Sequence, residues 1–206
     1  MQTLELSATD AVSIASLINA ANSGTDAKIT PALNQVRIRI KDGTVTAMAS
    51  DRFTLATYTA AAMNWNDGDG ELGLTPAACK FIAANVKRIS KHYSPESVEI
   101  TWDESTREFS IRHGGAVYGD TYHASKYPDV ESLIDGWQPA AAAGPVVLRG
   151  EFLARLNKFI DAFSKVQFWT LELGMDRIQR ADRPGPVMAR YHGFKVLIQP
   201  NLIKQD

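Results

Sequence analysis

The sequence predicts an α+β protein of antiparallel sheets with helices on one face, and three observations carry that prediction. Apolar and polar residues alternate in short runs, tight-turn signals such as Asp42-Gly43 join those runs, and three stretches of helical spacing each follow a short strand. The order strand, helix, three strands forms a unit of roughly 60 residues that recurs three times, as structural order rather than as sequence identity.

In the first unit, residues 2–7 alternate as a strand. Thr9 and Asp10 are good N-caps for a helix carrying Ile14, Leu17, Ile18 and Ala21. Residues 22–31 have turn chemistry. Val36, Ile38 and Ile40 then alternate with Arg37, Arg39 and Lys41 up to Asp42-Gly43, a strong hairpin signal. Val45 and Ala47 lie on the return strand, and Thr54 to Tyr58 forms another beyond Ser50-Asp51-Arg52. The second unit begins after the polar loop 64–70. Leu72 and Leu74 precede Thr75-Pro76, an N-cap with proline at the first helical position, and the helix is expected to run to about Lys91. Strands are expected around Val98 to Trp102, Phe109 to His113 and Ala116 to Ala124.

Residues 126–144, rich in Pro, Gly and Ala, show no sustained period and read as a linker. The third unit follows. Val146 to Leu148 is a short strand, Glu151 to Lys165 a helix, Val166 to Leu173 a strand, and residues 187–198 a hairpin across His192-Gly193. The expected division is therefore 1–138 as a two-unit domain, 139–144 as linker and 145–206 as a half-domain of one unit.

The 206 residues carry 22 Lys+Arg against 23 Asp+Glu, with 45% hydrophobic residues, which excludes disordered, collagenous and membrane-spanning classes. Cys79 is the single cysteine, so no intramolecular disulfide forms and a reducing cytoplasm fits. The N-terminus lacks a basic start and a long apolar run, so nothing targets the chain for export and a cytoplasmic location is expected.

The near-neutral total hides a segregated field. On the second helix Lys80, Lys87, Arg88 and Lys91 fall on one face, and residues 76–91 contain no acid. On the third, Arg155, Lys158 and Lys165 share a face opposite Phe152, Leu156, Phe159 and Phe163. Segment 93–108 holds the compensating acid, Glu96, Glu99, Asp103, Glu104 and Glu108 against Arg107. Solvated faces usually mix signs, so two basic ridges in equivalent positions, the first of them with no acid, point to a phosphate-facing surface. The first helix, with Ser13, Ser16 and Asn19, carries no basic residue.

No catalytic constellation emerges. His92, His113, His123 and His192 are scattered with no metal-ligand spacing, so neither a metal nor a cofactor is expected. Gly68-Asp69-Gly70 and Gly114-Gly115 read as turns rather than phosphate loops. Asp51-Arg52 reads as a structural ion pair or Asx-turn, and Cys79 as a buried thiol.

Three segments resemble one family. Met48-Ala49-Ser50-Asp51-Arg52-Phe53-Thr54-Leu55-Ala56 is similar to a segment in the middle domain of the bacterial DNA polymerase III beta sliding clamps. Lys126-Tyr127-Pro128-Asp129 with Leu133-Ile134 resembles their domain-ending segment, and residues 194–203 resemble their closing strand and tail. The chain departs from the pattern at Arg52 where the motif has glycine, at Thr54 where it has arginine, and at Gln199 where the tail has a hydrophobic residue.

The resemblance implies a processivity-clamp fold and a ring around duplex DNA, lined by helices, that tethers a DNA polymerase and meets a clamp loader without reading sequence. It also implies a pocket for short hydrophobic peptides. By position that pocket uses Ser50, Arg52, Phe53, Thr54 and Leu55 from the motif, Leu197, Gln199 and Pro200 from the tail, and Trp137 and Pro139 from the linker. Clamps of this type close with about twelve such units, so three per chain suggest a homotetramer whose third units complete one another by isologous contact. The alternative is a clamp-like protein that binds such peptides, or caps another clamp, without encircling DNA.

Overall fold

Two antiparallel sheets organise the chain in the computed structural model, which describes residues 1–21, 30–65, 68–86, 97–124, 127–139, 150–159, 169–174 and 185–199. The first unit comprises β1 (Gln2–Ser7), α1 (Ala8–Ser16) with a 3-10 continuation over Leu17–Ala20, β2 (Val36–Lys41), β3 (Thr44–Ser50) and β4 (Thr54–Ala61). A short strand β5 (Asn64–Trp65) leads to the second unit, β6 (Gly70–Leu74), α2 (Pro76–Asn85), β7 (Ser97–Trp102), β8 (Glu108–His113) and β9 (Ala116–Thr121). After α3 (Val130–Asp135) the third unit supplies α4 (Gly150–Leu156), β10 (Thr170–Leu173), β11 (Val187–Tyr191) and β12 (Phe194–Ile198).

The first two units exchange their first strands. β1 pairs with β7 in the sheet β5-β1-β7-β8-β9, and β6 pairs with β2 in the sheet β10-β11-β12-β4-β3-β2-β6. The second sheet continues into the third unit through β4 and β12. The main core lies between the inner faces of both sheets and the helices, and includes Leu4, Ile14, Ile38, Leu74, Ile82, Trp102, Phe159 and Phe194.

The α+β class and the strand order agree with expectation, and several boundaries need correction. Ser7, not Thr9 or Asp10, caps α1: its Oγ accepts from the Asp10 N–H at 3.0 Å, and its hydroxyl donates to the Asp10 carboxylate at 2.5 Å. α2 ends at Asn85 rather than near Lys91. Asn85 turns its amide back to the Phe81 carbonyl at 2.8 Å and Val86 is extended at φ −78°, ψ 109°; both are weak helix formers. Lys87, Arg88 and Lys91, expected to share a face with Lys80, lie outside the described residues. The expected strand at Val146 to Leu148, residues 140–144 of the linker, Lys165 and Pro200 also lie outside them.

Within the expected linker, α3 is a real helix. Asp129 caps it by accepting from the Ser132 N–H at 3.1 Å, but six residues are under two turns and too few to display a period. The 64–70 loop likewise contains β5, where Trp65 stacks on Trp102 at 5.4 Å, an aromatic contact invisible in a polar string.

Candidate partner and nucleic-acid surfaces

The segment Ser50 to Leu55 is a tight corner between β3 and β4. Asp51 Oδ1 accepts from the Phe53 N–H at 3.0 Å and the Thr54 N–H at 2.7 Å, and Ser50 Oγ accepts from the Arg52 N–H at 3.0 Å. Arg52 takes φ +76°, a left-handed conformation that glycine adopts without strain. The Asx-turn expectation thus holds, with a different cation. Asp51 pairs with Arg155 of α4, whose guanidinium also donates to Thr54 Oγ1 at 2.9 Å.

Motif and tail lie side by side in the second sheet. β4 pairs with β12 so that Leu55 faces Leu197 and Thr54 faces Ile198, and the Gln199 N–H donates to the Phe53 carbonyl at 2.9 Å. Ser50, Leu55, Leu197 and Met188 form one cross-strand row on the outer face of the second sheet. Against that face packs a satellite cluster of Met48, Val130, Ile134, Met188 and Leu197, joined by Leu55, Tyr127 and Trp137. Trp137 is pinned: its Nε1 donates to the Pro186 carbonyl at 3.0 Å, Arg190 lies over its ring at 5.6 Å, and a Cβ on Gly174 would meet its Nε1 at 2.2 Å. Pro139 forms an isolated bridge with Gly174.

Of the expected pocket residues, Ser50, Thr54 and Leu197 are buried and Leu55 and Trp137 half-buried, whereas Arg52, Phe53, Pro139 and Gln199 are exposed, Phe53 by 58%. The accessible part of the described set is thus the Arg52-Phe53 corner beside Gln199, together with Pro139. Sequence reasoning missed Met48, Met188, Tyr127, Val130 and Ile134. For Met188 a signal existed, because a two-residue turn at His192-Gly193 forces Met188 opposite Leu197.

The outer face is laced with ion pairs. Arg37 bonds Glu71 at 2.7 Å, Arg39 pairs with Glu131 of α3, and Arg190 with Glu172 at 3.2 Å. The hydrogen bond from Arg37 holds the Glu71 carboxyl below its ordinary range against the opposing effect of burial. Burial raises the Tyr127 phenol far above its usual range, so it stays neutral.

On the helical side, Lys80 of α2 and Lys158, in the turn after α4, are exposed. Arg155 is three-quarters buried as a side chain and engaged by Asp51 and Thr54. Asn19 reaches this region, donating to the Lys158 carbonyl at 3.1 Å. Burial pushes the Cys79 thiol up to about 12, which keeps it protonated and inert. Among the described residues no group of three or more His, Cys, Asp or Glu could hold a metal ion, and no helix is long and apolar enough to cross a membrane.

No family model matches the sequence, and no curated protein does either. Solved structures do match the fold. The DNA polymerase sliding clamp from Pseudomonas aeruginosa superposes with a TM-score of 0.68 at 10% identity, over 98% of this chain and 67% of that one. The Bacillus subtilis sliding clamp gives 0.69 at 12% identity over 97% and 64%. The DNA polymerase III beta chain from Streptococcus pneumoniae TIGR4 gives 0.69 at 14% identity over 98% and 65%. The chain thus spans about two thirds of the length of the clamps it matches. With its exchanged strands, helices on the inner side and motif joined to tail, it has the fold of the bacterial DNA polymerase III beta sliding clamps.

Proposed function

We propose that the protein is a sliding clamp, a non-catalytic processivity factor of the cytoplasm that encircles duplex DNA and tethers a polymerase and its loader. The observation that carries the reading is the clamp fold over nearly the whole chain, with α2 and α4 on one side of the sheets and the cations of Lys80 and Lys158 exposed. Lys80 and Lys158, with Lys87, Arg88, Lys91 and Lys165 beyond the described residues, would meet phosphates loosely and without reading bases, which permits sliding. Arg155 serves this surface indirectly, by anchoring α4 to the Asp51 corner.

The partner site in this reading is the outer face of the second sheet near Arg52, Phe53, Gln199 and Pro200. Trp137, Leu55 and Leu197 form its floor and Pro139 its margin. A clamp of this fold from Bartonella birtlesii was solved bound to griselimycin, which supports ligand binding by such proteins. Four chains of three units would close the ring, with third units completing one another.

Retention on nicked circular DNA, lost on linearisation, tests the reading. Lys80→Glu with Lys158→Glu should abolish retention at low salt; unchanged retention would remove these helices from the DNA surface. One observation favours a clamp-like peptide binder instead: Arg155, one of the expected phosphate contacts, is tied to Asp51. Peptide affinity without DNA retention would establish that alternative.

A further inference from the structure

The hairpin turn at Asp42, the segment from Ala62 to Trp65 and the loop at Asp69 enclose a cleft of about 490 Å³. It lies at the far end of β3 and β4 from the Asp51 corner, and the seven residues of β3 separate the two by about 20 Å. None of the residues expected to form the peptide pocket lines it.

The cleft combines apolar surface with unneutralised charge. Ala62, Met63 and Trp65 supply the apolar part, and Met63 is 56% exposed. The indole is held in place from several sides. Trp65 stacks on Trp102 with ring centroids 5.4 Å apart and 17° between the planes, and its Nε1 donates to the Gly68 carbonyl at 2.6 Å. Gly70 lies so close that an added Cβ would meet the ring at 2.8 Å. A ring fixed in this way costs little further ordering when something binds against it.

Asp42 and Asp69 add two exposed carboxylates. Among the described residues neither has an ion-pair partner, the adjacent Lys41 included. The second sheet treats its other acids differently: Glu71, Glu131, Glu172 and Asp135 each meet an Arg or Lys of the chain. Negative charge also continues beyond the cleft. Asn64, in its lining, faces Glu5 across β5 and β1, and Glu5 faces Glu99 across β1 and β7, so all three share the outer face of the first sheet. Like charges directly opposite one another cost stability, and Arg112 approaches only Glu99 of this pair, at 3.9 Å.

We propose that this cleft docks a lysine or arginine side chain from an extended basic segment of a partner protein. The aliphatic stem lies on Met63 and Trp65, and Asp42 and Asp69 take the cation. A second basic residue two positions along, about 7 Å away in an extended chain, reaches Glu5, one strand spacing from Asn64. Charge complementarity selects this occupant. A neutral apolar peptide would desolvate two carboxylates without pairing them, and nucleic acid or an acidic peptide would be repelled. The proposal uses neither the helices nor the Arg52-Phe53 corner, so it does not depend on the clamp reading.

The probe is the peptide acetyl-Gly-Lys-Gly-Lys-Gly-Lys-Gly-amide, titrated into the full chain at low ionic strength and followed by calorimetry and tryptophan emission. Saturable binding that shifts the emission is expected, and it should disappear when the three lysines are acetylated. Asp42→Asn with Asp69→Asn should weaken the affinity about tenfold. Asparagine suits the left-handed φ of +49° at Asp42 and a turn before Gly43, so circular dichroism should be unchanged. Glu104→Gln, an exposed acid on the turn between β7 and β8, should leave the affinity as it is. An equal loss in Glu104→Gln, an unchanged affinity in the folded double variant, or no saturable binding by the wild type would overturn the docking site. DNA retention should be unaltered by the double variant. Peptide binding without retention by the wild type upholds this site and removes only the clamp reading.

Discussion

Replacing Arg155 by alanine separates a structural role from a DNA-contacting one. Its guanidinium bonds the Asp51 carboxylate and Thr54 Oγ1, with side-chain exposures of 25% for Arg155 and 16% for Asp51. Hydrogen bonds to charged groups contribute about 1.5–3 kcal/mol when buried, and exposed ion pairs about 0.2–1. The intermediate burial places Arg155→Ala near 2 kcal/mol, roughly thirtyfold in the folding equilibrium. Asp51→Ala should cost more, about 3–4 kcal/mol, because the carboxylate also accepts two backbone N–H groups that hold Arg52 in its left-handed conformation. Urea unfolding followed by tryptophan fluorescence measures both, and the double-mutant cycle should return a coupling of about 1–2 kcal/mol. DNA retention should be little changed in Arg155→Ala while it is lost in Lys158→Glu. A stability change under about 0.5 kcal/mol, accompanied by lost retention, would refute the structural assignment and return Arg155 to the phosphate-facing surface.

Other expectations follow from the outer face. Trp137→Ala should cost about 2–3 kcal/mol, at or below the low end for a buried aromatic because Trp137 is half-buried, and should weaken any peptide bound beside Leu55. Gly174→Ala should displace Trp137, since the added Cβ would lie 2.6 Å from the Pro186 carbonyl as well, and a shift in tryptophan emission reads this directly. Because the Glu71 carboxyl is held low in the folded chain, its stabilisation is complete above its unfolded value of about 4.3 and is lost as pH falls through the lower folded value. Glu71→Gln should therefore show a shallower loss of stability below about pH 4.3 in acid titrations by circular dichroism; an unchanged acid slope would remove the Arg37 pairing as its cause.

Local chemistry determined much of this protein without help from the tertiary structure. Two-residue hairpin turns at Asp42-Gly43 and Gly114-Gly115 set strand registers from sequence, since the turn alone decides which residues face each other. Thr75-Pro76 started α2 where it was expected, because cap and proline act within one turn. The order strand, helix, three strands of the first two units was legible from alternation.

What the sequence left open depended on contacts between residues far apart. The exchange of β1 and β6 between sheets is a choice among pairings of equal local quality, made by burial of both faces in a common core. The covering of Leu55 and Leu197 by Tyr127, Val130 and Trp137 came from a six-residue helix too short to register as periodic. Arg155 was assigned to solvent by its position on a helical face, and tertiary folding brought Asp51 to it across 104 residues. Helical periodicity reports only that a side chain lies off the apolar stripe. Whether it meets water or a carboxylate is decided by what the rest of the chain places there, and that is a property of the fold.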